Sequence, residues 1–340
     1  MQGYISFASA RAAQAEQLAA AVDRLSAAVA AQQEAGGLRG PGPILLGIGA
    51  SLAAACAPVW TLRSRGIHSW RLGAGDHPLP FPASSHPVFA ISQSGRSAET
   101  LAALGSLPAE LRHAVVNTEP SPLSELAASS LSLGNIPDSY ASTIGFTATV
   151  AALGMIADAW DGGAVDAAWR VLPDQLRATD DELAAREAEL APVFADAAWA
   201  DFVGSGPSAG SAEAGALLFR EVARVPSSGL STRSYLHGSM ESANPAGAHV
   251  LFGAERELEV ARMLRAAGNR VLFVTGDPSL ATDGIPTIRL PRVPAAPRAV
   301  LEAVVLQSLA ALVARLRGVD IEEFVFSHDD TKVAPEAGES

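Results

Sequence analysis

The chain has 340 residues, 49% hydrophobic and 18% charged, which is enough for about two globular domains at ~100–200 residues each and too apolar for a disordered polymer. Its net charge of −12 repels phosphate backbones and no basic patch interrupts it, which excludes nucleic acid as a partner. The single cysteine, Cys56, permits no intrachain disulfide and no Cys–His zinc spacing.

The longest apolar stretches, near Ala102 and Ala303, are broken by charged or turn residues short of the ~20 needed to span a bilayer. The N-terminus lacks the basic region, apolar core and small-residue cleavage site of an export signal. The expectation is a soluble cytoplasmic protein with no membrane partner. Of the 24 basic residues, 23 are arginine; the one lysine is Lys332.

In chain order, residues 8–31 are Ala-rich with Leu18, Val22, Leu25 and Val29 at helical spacing, which predicts an amphipathic helix. A Gly-rich loop, 36–42, leads to the apolar run Ile44-Leu45-Leu46. That run ends in Gly47-Ile48-Gly49-Ala50-Ser51 and a helical stretch to about Arg65. A second run, Pro87-Val88-Phe89-Ala90-Ile91, ends in Ser92-Gln93-Ser94-Gly95 and passes into a helix from Ser97. A third, Ala114-Val115-Val116-Asn117, ends in turn residues 118–122. Strands alternating with helices predict a mostly parallel, doubly wound sheet covered on both faces.

Charge density rises after Asp158, and residues 173–190 read as a polar linking helix. The pattern then restarts. Asp201-Phe202-Val203 runs into Gly204-Ser205-Gly206-Pro207-Ser208; His249-Val250-Leu251-Phe252 echoes the second run, and Arg270-Val271-Leu272-Phe273-Val274 the third. Gly47 and Gly204 are 157 residues apart, and Asn117 and Thr275 are 158 apart. A near-constant offset predicts two copies of one α/β unit, against the alternative of one long doubly wound sheet. The expected boundaries are an N-terminal helix over 1–36, a first unit over 37–160, a linker helix over 161–196, a second unit over 197–320 and a tail over 321–340.

Ligands of open parallel sheets bind beyond the carboxyl ends of the strands, where helix N-termini offer free N–H groups to anions. Ser92-Gln93-Ser94-Gly95-Arg96-Ser97, with Ser51 from the first strand, gathers hydroxyl donors at one such end and predicts an oxyanion pocket. The same residue types also cap helices. A dinucleotide fingerprint is absent, because Gly47-x-Gly49 lacks its third glycine and no acidic residue clearly ends the second strand.

The turn ending in Ser51, followed by Ile91-Ser92-Gln93-Ser94-Gly95, resembles the signature of the sugar isomerase (SIS) domain family. The tandem arrangement resembles the isomerase half of glucosamine-6-phosphate synthase and the related deaminases. In the second half, Gly215-Ala216-Leu217-Leu218-Phe219-Arg220-Glu221 resembles the family's catalytic helix, and Tyr235-Leu236-His237-Gly238 its His-Gly motif. Asp330-Thr331-Lys332-Val333 sits where the family carries a C-terminal lysine.

The resemblance implies two tandem three-layer α/β/α sandwiches and a small anionic sugar as partner. Ser51, Ser92, Gln93, Ser94 and Ser97 would grip its phosphate, and Ser142 and Thr143 would close the sugar end. Glu221 would be the base that moves a proton between C1 and C2, and Lys332 would contact the open-chain carbonyl or its ring-opening step. His237 would help open the ring, reaching in from a neighbouring subunit, which implies a homodimer. No cofactor and no metal is expected. On chemical grounds, aldose–ketose interconversion needs one carboxylate to shuttle a proton and a donor for the developing oxyanion. Without the resemblance, Glu221 would read as a surface carboxylate pairing with Arg224 at i+3.

Several positions depart from the family. Leu218 stands where its helix has a lysine, Ser239 follows His237-Gly238 in place of proline, and Arg96, able to bind an oxyanion bidentately, enters the serine turn. Phe324-Val325-Phe326 replaces a proline-containing approach to Lys332. His68, His77, His86, His113, His249 and His328 show no pairing spacing and receive no role. The activity expected is isomerisation or deamination of an amino-sugar 6-phosphate such as glucosamine 6-phosphate. The alternatives are a sulfonated hexose, an amine-linked sugar phosphate, or a non-catalytic sugar-phosphate sensor.

Overall fold

A computed structural model of the chain describes residues 3–322, 325–326 and 330–334; Phe324 and His328 lie outside them. Helix α1 (Phe7–Glu34) starts at Ser6, whose side chain accepts from the Ser9 N–H, and buries Leu18, Val22, Leu25 and Val29 along one stripe. The first unit follows as β1 (Ile44–Gly47), α2 (Ala50–Ala54), α3 (Cys56–Ser64), β2 (Trp70–Gly73), β3 (Val88–Ser92), α4 (Ala98–Gly105), β4 (Arg112–Val116), α5 (Pro122–Leu126), β5 (Ser129–Ser132) and α6 (Ile144–Ala159). Two linking helices come next, α7 (Ala168–Ala185) and α8 (Glu187–Phe194). The second unit holds β6 (Trp199–Gly204), α9 (Ala209–Val222), β7 (Ser227–Ser231), α10 (Thr232–Leu236), β8 (Gly247–Phe252), α11 (Glu255–Ala266), β9 (Arg270–Thr275), β10 (Thr287–Arg289) and α12 (Ala295–Arg317).

The first sheet runs β2-β1-β3-β4-β5 and the second β7-β6-β8-β9-β10, every pair parallel. Strand for strand the order is the same, so the repeat seen in the sequence is a repeat of topology and the single long sheet is excluded. Each sheet is covered on both faces. Leu45, Phe89, Ile91 and Val115 point into one cluster that spans both units, while Ile44, Leu46, Val88, Ala90, Ala114 and Val116 face a second under α4 and α5. Burial on both faces is why these strands read as unbroken apolar runs. The edge strands β2, β5, β7 and β10 carry no such run; they are short and partly exposed, and sequence periodicity passes over them.

The linker expected as one helix is broken at Arg186, whose guanidinium bonds Glu182, Glu189 and the Thr287 carbonyl. Helix α12 is long and apolar enough to cross a bilayer, but 78% of its apolar window is buried against the rest of the protein, so it is a core helix. It packs on α3, α6, α7 and α9 and so joins the two units. A helix buried on all sides is apolar all round.

The units meet most closely where α9 passes α2. A Cβ at Gly210 would stand 2.5 Å from the Ala53 carbonyl oxygen and 2.4 Å from the Cys56 Cβ. Gly210→Ala must force these backbones apart, and overpacking of this kind costs about 1–3 kcal/mol. Chemical denaturation of the variant is expected to show a loss in that range with an unchanged slope.

Candidate functional site

The serine turn joins β3 to α4. Its shape rests on Gly95, at φ +64°, where a Cβ would lie 2.1 Å from the Ser121 Oγ and no larger residue fits. The Gln93 carbonyl accepts the N–H groups of Asn117 and Thr118, both at 3.0 Å, which ties the turn to the end of β4. Inside it, the Ser92 and Ser97 hydroxyls are 2.9 Å apart and the Ser94 Oγ accepts the Arg96 N–H at 3.3 Å. Ser92 is buried, while Gln93, Ser94, Arg96 and Ser97 are partly open. Ser51, at the start of α2, is also partly open.

Asp138, which no sequence motif singles out, organises Ser142, Thr143 and the start of α6. Its Oδ1 accepts the Ser139 and Thr143 N–H groups and the Thr143 hydroxyl at 2.7 Å. Its Oδ2 accepts the Gly145 N–H at 2.9 Å, and the Ser142 hydroxyl and Gln93 amide at 2.8 Å each. Six donors on one buried carboxyl fix the N-terminus of α6 against the serine turn. With its proton committed to Asp138, the Ser142 Oγ offers the outside only lone pairs. Thr143 differs from expectation. Its side chain is fully buried with its hydroxyl on Asp138, so it supports the site from behind instead of closing it.

Glu221 lies on α9 and opens into a cleft between the units. Ser142 and Phe146 of the first unit, Leu217 and Leu218 of α9 and Gln307 of α12 share its lining, with Ala50, the neighbour of Ser51. The second unit's carboxyl and the first unit's Ser142 thus face one space, whose lining does not include the side chains of the serine turn. Leu218, where the resembling family has lysine, adds hydrocarbon to the wall. Burial pushes the Glu221 carboxyl up from 4.5 to about 7. Arg224, the partner expected at i+3, turns its guanidinium to the Asp320 carbonyl at 3.1 Å. The folded chain therefore holds on Glu221 a proton that the unfolded chain releases near 4.5, and stability from this residue falls as pH rises from about 4.5 through 7. Arg71 of β2 grips Glu213 with both guanidinium nitrogens and, with the contact at Gly210, holds α9 on the first unit.

The C-terminal segment reaches the serine turn. Lys332 forms an antiparallel bridge with Ser97, the Val333 N–H donates to the Arg96 carbonyl at 2.9 Å, and the Ala98 N–H donates to the Thr331 carbonyl at 3.2 Å. One Arg96 nitrogen donates to the Ala334 carbonyl at 3.2 Å, so this guanidinium clamps the segment. His237 ends α10 with its side chain exposed, outside the cleft of its own chain. His249, given no role from sequence, is fully buried with its Nδ1 3.1 Å from the Tyr235 hydroxyl, and this contact seats the helix that carries His237. Among the described residues no cluster of three His, Cys, Asp or Glu side chains could hold a metal ion.

No protein-family model matches the chain, and a search of curated proteins returns no match. Solved structures do match. The C-terminal domain of glucosamine-fructose-6-phosphate aminotransferase from Francisella tularensis superposes with a TM-score of 0.81 at 17% identity, over 94% of this chain and 99% of that one. Tagatose-6-phosphate ketose/aldose isomerase from Escherichia coli gives 0.74 at 18%, over 92% and 93%. Glucosamine-6-phosphate deaminase from Thermotoga maritima gives 0.71 at 18%, over 90% and 95%. At these identities what is shared is the fold, two tandem SIS-type α/β units over nearly the whole chain.

Asp138→Ala would leave six donors without their acceptor. Losing a buried, multiply bonded carboxyl costs about 3 kcal/mol. Equilibrium unfolding is expected to show that loss, and hydrogen exchange is expected to quicken first at Thr143 and Gly145.

Proposed function

We propose that the chain is a phosphosugar aldose–ketose isomerase of the 1,2-proton-transfer type, acting on an amino-sugar 6-phosphate as a deaminase. The observation that carries this reading is the Glu221 carboxyl, raised to about 7 by burial, in a cleft it shares with Ser142 beside the serine turn. A carboxyl half ionised at neutral pH can both take and return a proton, as a shuttle between adjacent carbons requires.

The serine turn and the N–H groups at the start of α4 hold the phosphate, which places the reacting carbons in the cleft. The Glu221 carboxylate takes the proton from C2 of the open-chain aldehyde, giving an enolamine, and returns it to C1. The resulting C2 imine adds water and releases ammonia, leaving the ketose. Lys332, brought to the turn by its bridge to Ser97, donates to the carbonyl oxygen on which charge develops. His237, exposed at the end of α10, serves ring opening in the cleft of a second copy, so the working unit is a homodimer. Support comes from a fold shared with proteins named as a ketose/aldose isomerase and a deaminase.

With glucosamine 6-phosphate in deuterium oxide, the protein is expected to exchange the C2 hydrogen. kcat/KM should rise with pH through about 7 and level off as Glu221 ionises. Glu221→Gln is expected to lower exchange by about 10²–10⁴-fold. Exchange that survives this substitution removes Glu221 as the base, and tight binding without any exchange in the unmodified protein favours the sensor. Mixing inactive Glu221→Gln and His237→Ala subunits is expected to restore about a quarter of the activity, because half the dimers are mixed and each then holds one intact site. No recovery places His237 in its own chain's site or outside the chemistry.

A further inference from the structure

Gln307 stands in the middle of α12, 2% exposed, and lines the same cleft as Glu221. Its Nε2 donates to the Thr143 carbonyl at 3.3 Å. A carbonyl only accepts, so this bond fixes the orientation of the amide and leaves the Oε1 on the other side. Among the described residues that oxygen has no hydrogen-bond partner. A buried acceptor left unpaired is destabilising, and Leu306, Ala303 and Phe146, which share the cleft's lining, bring no polar side chain to it.

The other polar side chains of the cleft share its character. The Ser142 hydroxyl has given its proton to Asp138 and presents lone pairs, and ionised Glu221 is an acceptor only. Among the described residues no lysine or arginine lines the cleft, and Leu218 is part of its wall. The wall therefore offers acceptors to whatever enters. A bare carbonyl or a C–H would leave them unmatched, and a protonated amine brings three N–H donors.

We infer that Gln307 is a specificity-determining residue of the site proposed above: its Oε1 accepts a hydrogen bond from an amino group beside the substrate's reacting carbon and so selects an amino sugar phosphate over one without that donor. The inference rests on the phosphosugar reading and assigns a residue that reading does not use. Because α12 is packed on all sides, the acceptor is held in place before the ligand arrives, and discrimination comes from the penalty of leaving it unpaired.

The test uses two sugar alcohols that lack a carbonyl and cannot react, 2-amino-2-deoxyglucitol 6-phosphate and 2-deoxyglucitol 6-phosphate, with Kd measured by calorimetry on the full chain. The unmodified protein is expected to prefer the amine by about tenfold or more, the scale of one unmatched buried acceptor. Gln307→Leu is expected to bring the ratio close to one while the deoxy ligand's Kd stays within about threefold. Gln307→Met, close to isosteric, serves if the leucine variant does not fold. No amine preference in the unmodified protein overturns the inference, as does a ratio that survives substitution. So does a parallel fall in both affinities, which marks Gln307 as a support for Thr143 alone. If the unmodified protein binds neither compound, the phosphosugar reading itself fails; if it binds both and only the ratio behaves otherwise, that reading stands and this inference falls.

Discussion

Helix α9 lies against α2 with no side chain between them at Gly210, and that contact sets where Glu221 stands. One turn on, Arg71 of the first sheet holds Glu213 of α9, so the helix is fixed at two points along its length. The carboxyl at its far end then projects into the space beside Ser142 and the start of α2. Neither unit forms this cleft alone: its hydroxyl, on Ser142, comes from one and its carboxyl from the other. Duplication of the α/β unit supplies the second strand–turn–helix, and the close packing of the copies brings its carboxyl to the cleft.

Three carboxyls in this region differ in what surrounds them. Asp138 is enclosed by six donors from one loop and one turn, and it acts as the brace of the first unit's site. Glu302, buried in α12, accepts the Ser208 hydroxyl at 2.7 Å and the Ser211 hydroxyl, and burial pushes its carboxyl up. Ser208 closes the second glycine turn as Ser51 closes the first, so in the second unit the position open to a ligand in the first is filled from within. Glu221 faces hydrocarbon, and its raised pKa follows from that alone. A duplicated fold thereby acquires two unlike ends, one whose serines stay partly open and one whose serine hydroxyls are taken up by a carboxyl of α12.

Fold class and repeat were legible because the central strands β1, β3, β4 and their counterparts are buried on both faces and announce themselves as apolar runs before glycine turns. The edge strands were not, because a strand with one wet side has no run to find. Glu221 was reached through resemblance, since its own surroundings in sequence read as an ordinary amphipathic helix. Asp138 sits in Pro137-Asp138-Ser139, where an aspartate looks like a turn residue; only the fold brings Gln93 to it across 45 positions. Gln307 and Glu302 left a fainter signal, polar residues inside a long, largely apolar and buried helix, where each must have a partner or a purpose.

The two ends of the described chain add a constraint that no local pattern contains. The Gly3 carbonyl and the Ile5 N–H pair with the backbone of Asp138, while the Tyr4 hydroxyl and the Phe7 N–H both donate to Glu322, at 2.6 and 3.1 Å. Glu322 stands where the chain leaves α12, and residues 331–333 lie along the serine turn through backbone bonds to Arg96 and Ala98. The segment before α1 thus touches both Asp138 and the root of the segment that lies along the serine turn. A shift in any one of the three is felt by the other two, because backbone hydrogen bonds fix their register as well as their distance. Placing the only lysine of the sequence on that tail makes its approach to the turn a property of how the whole chain is tied.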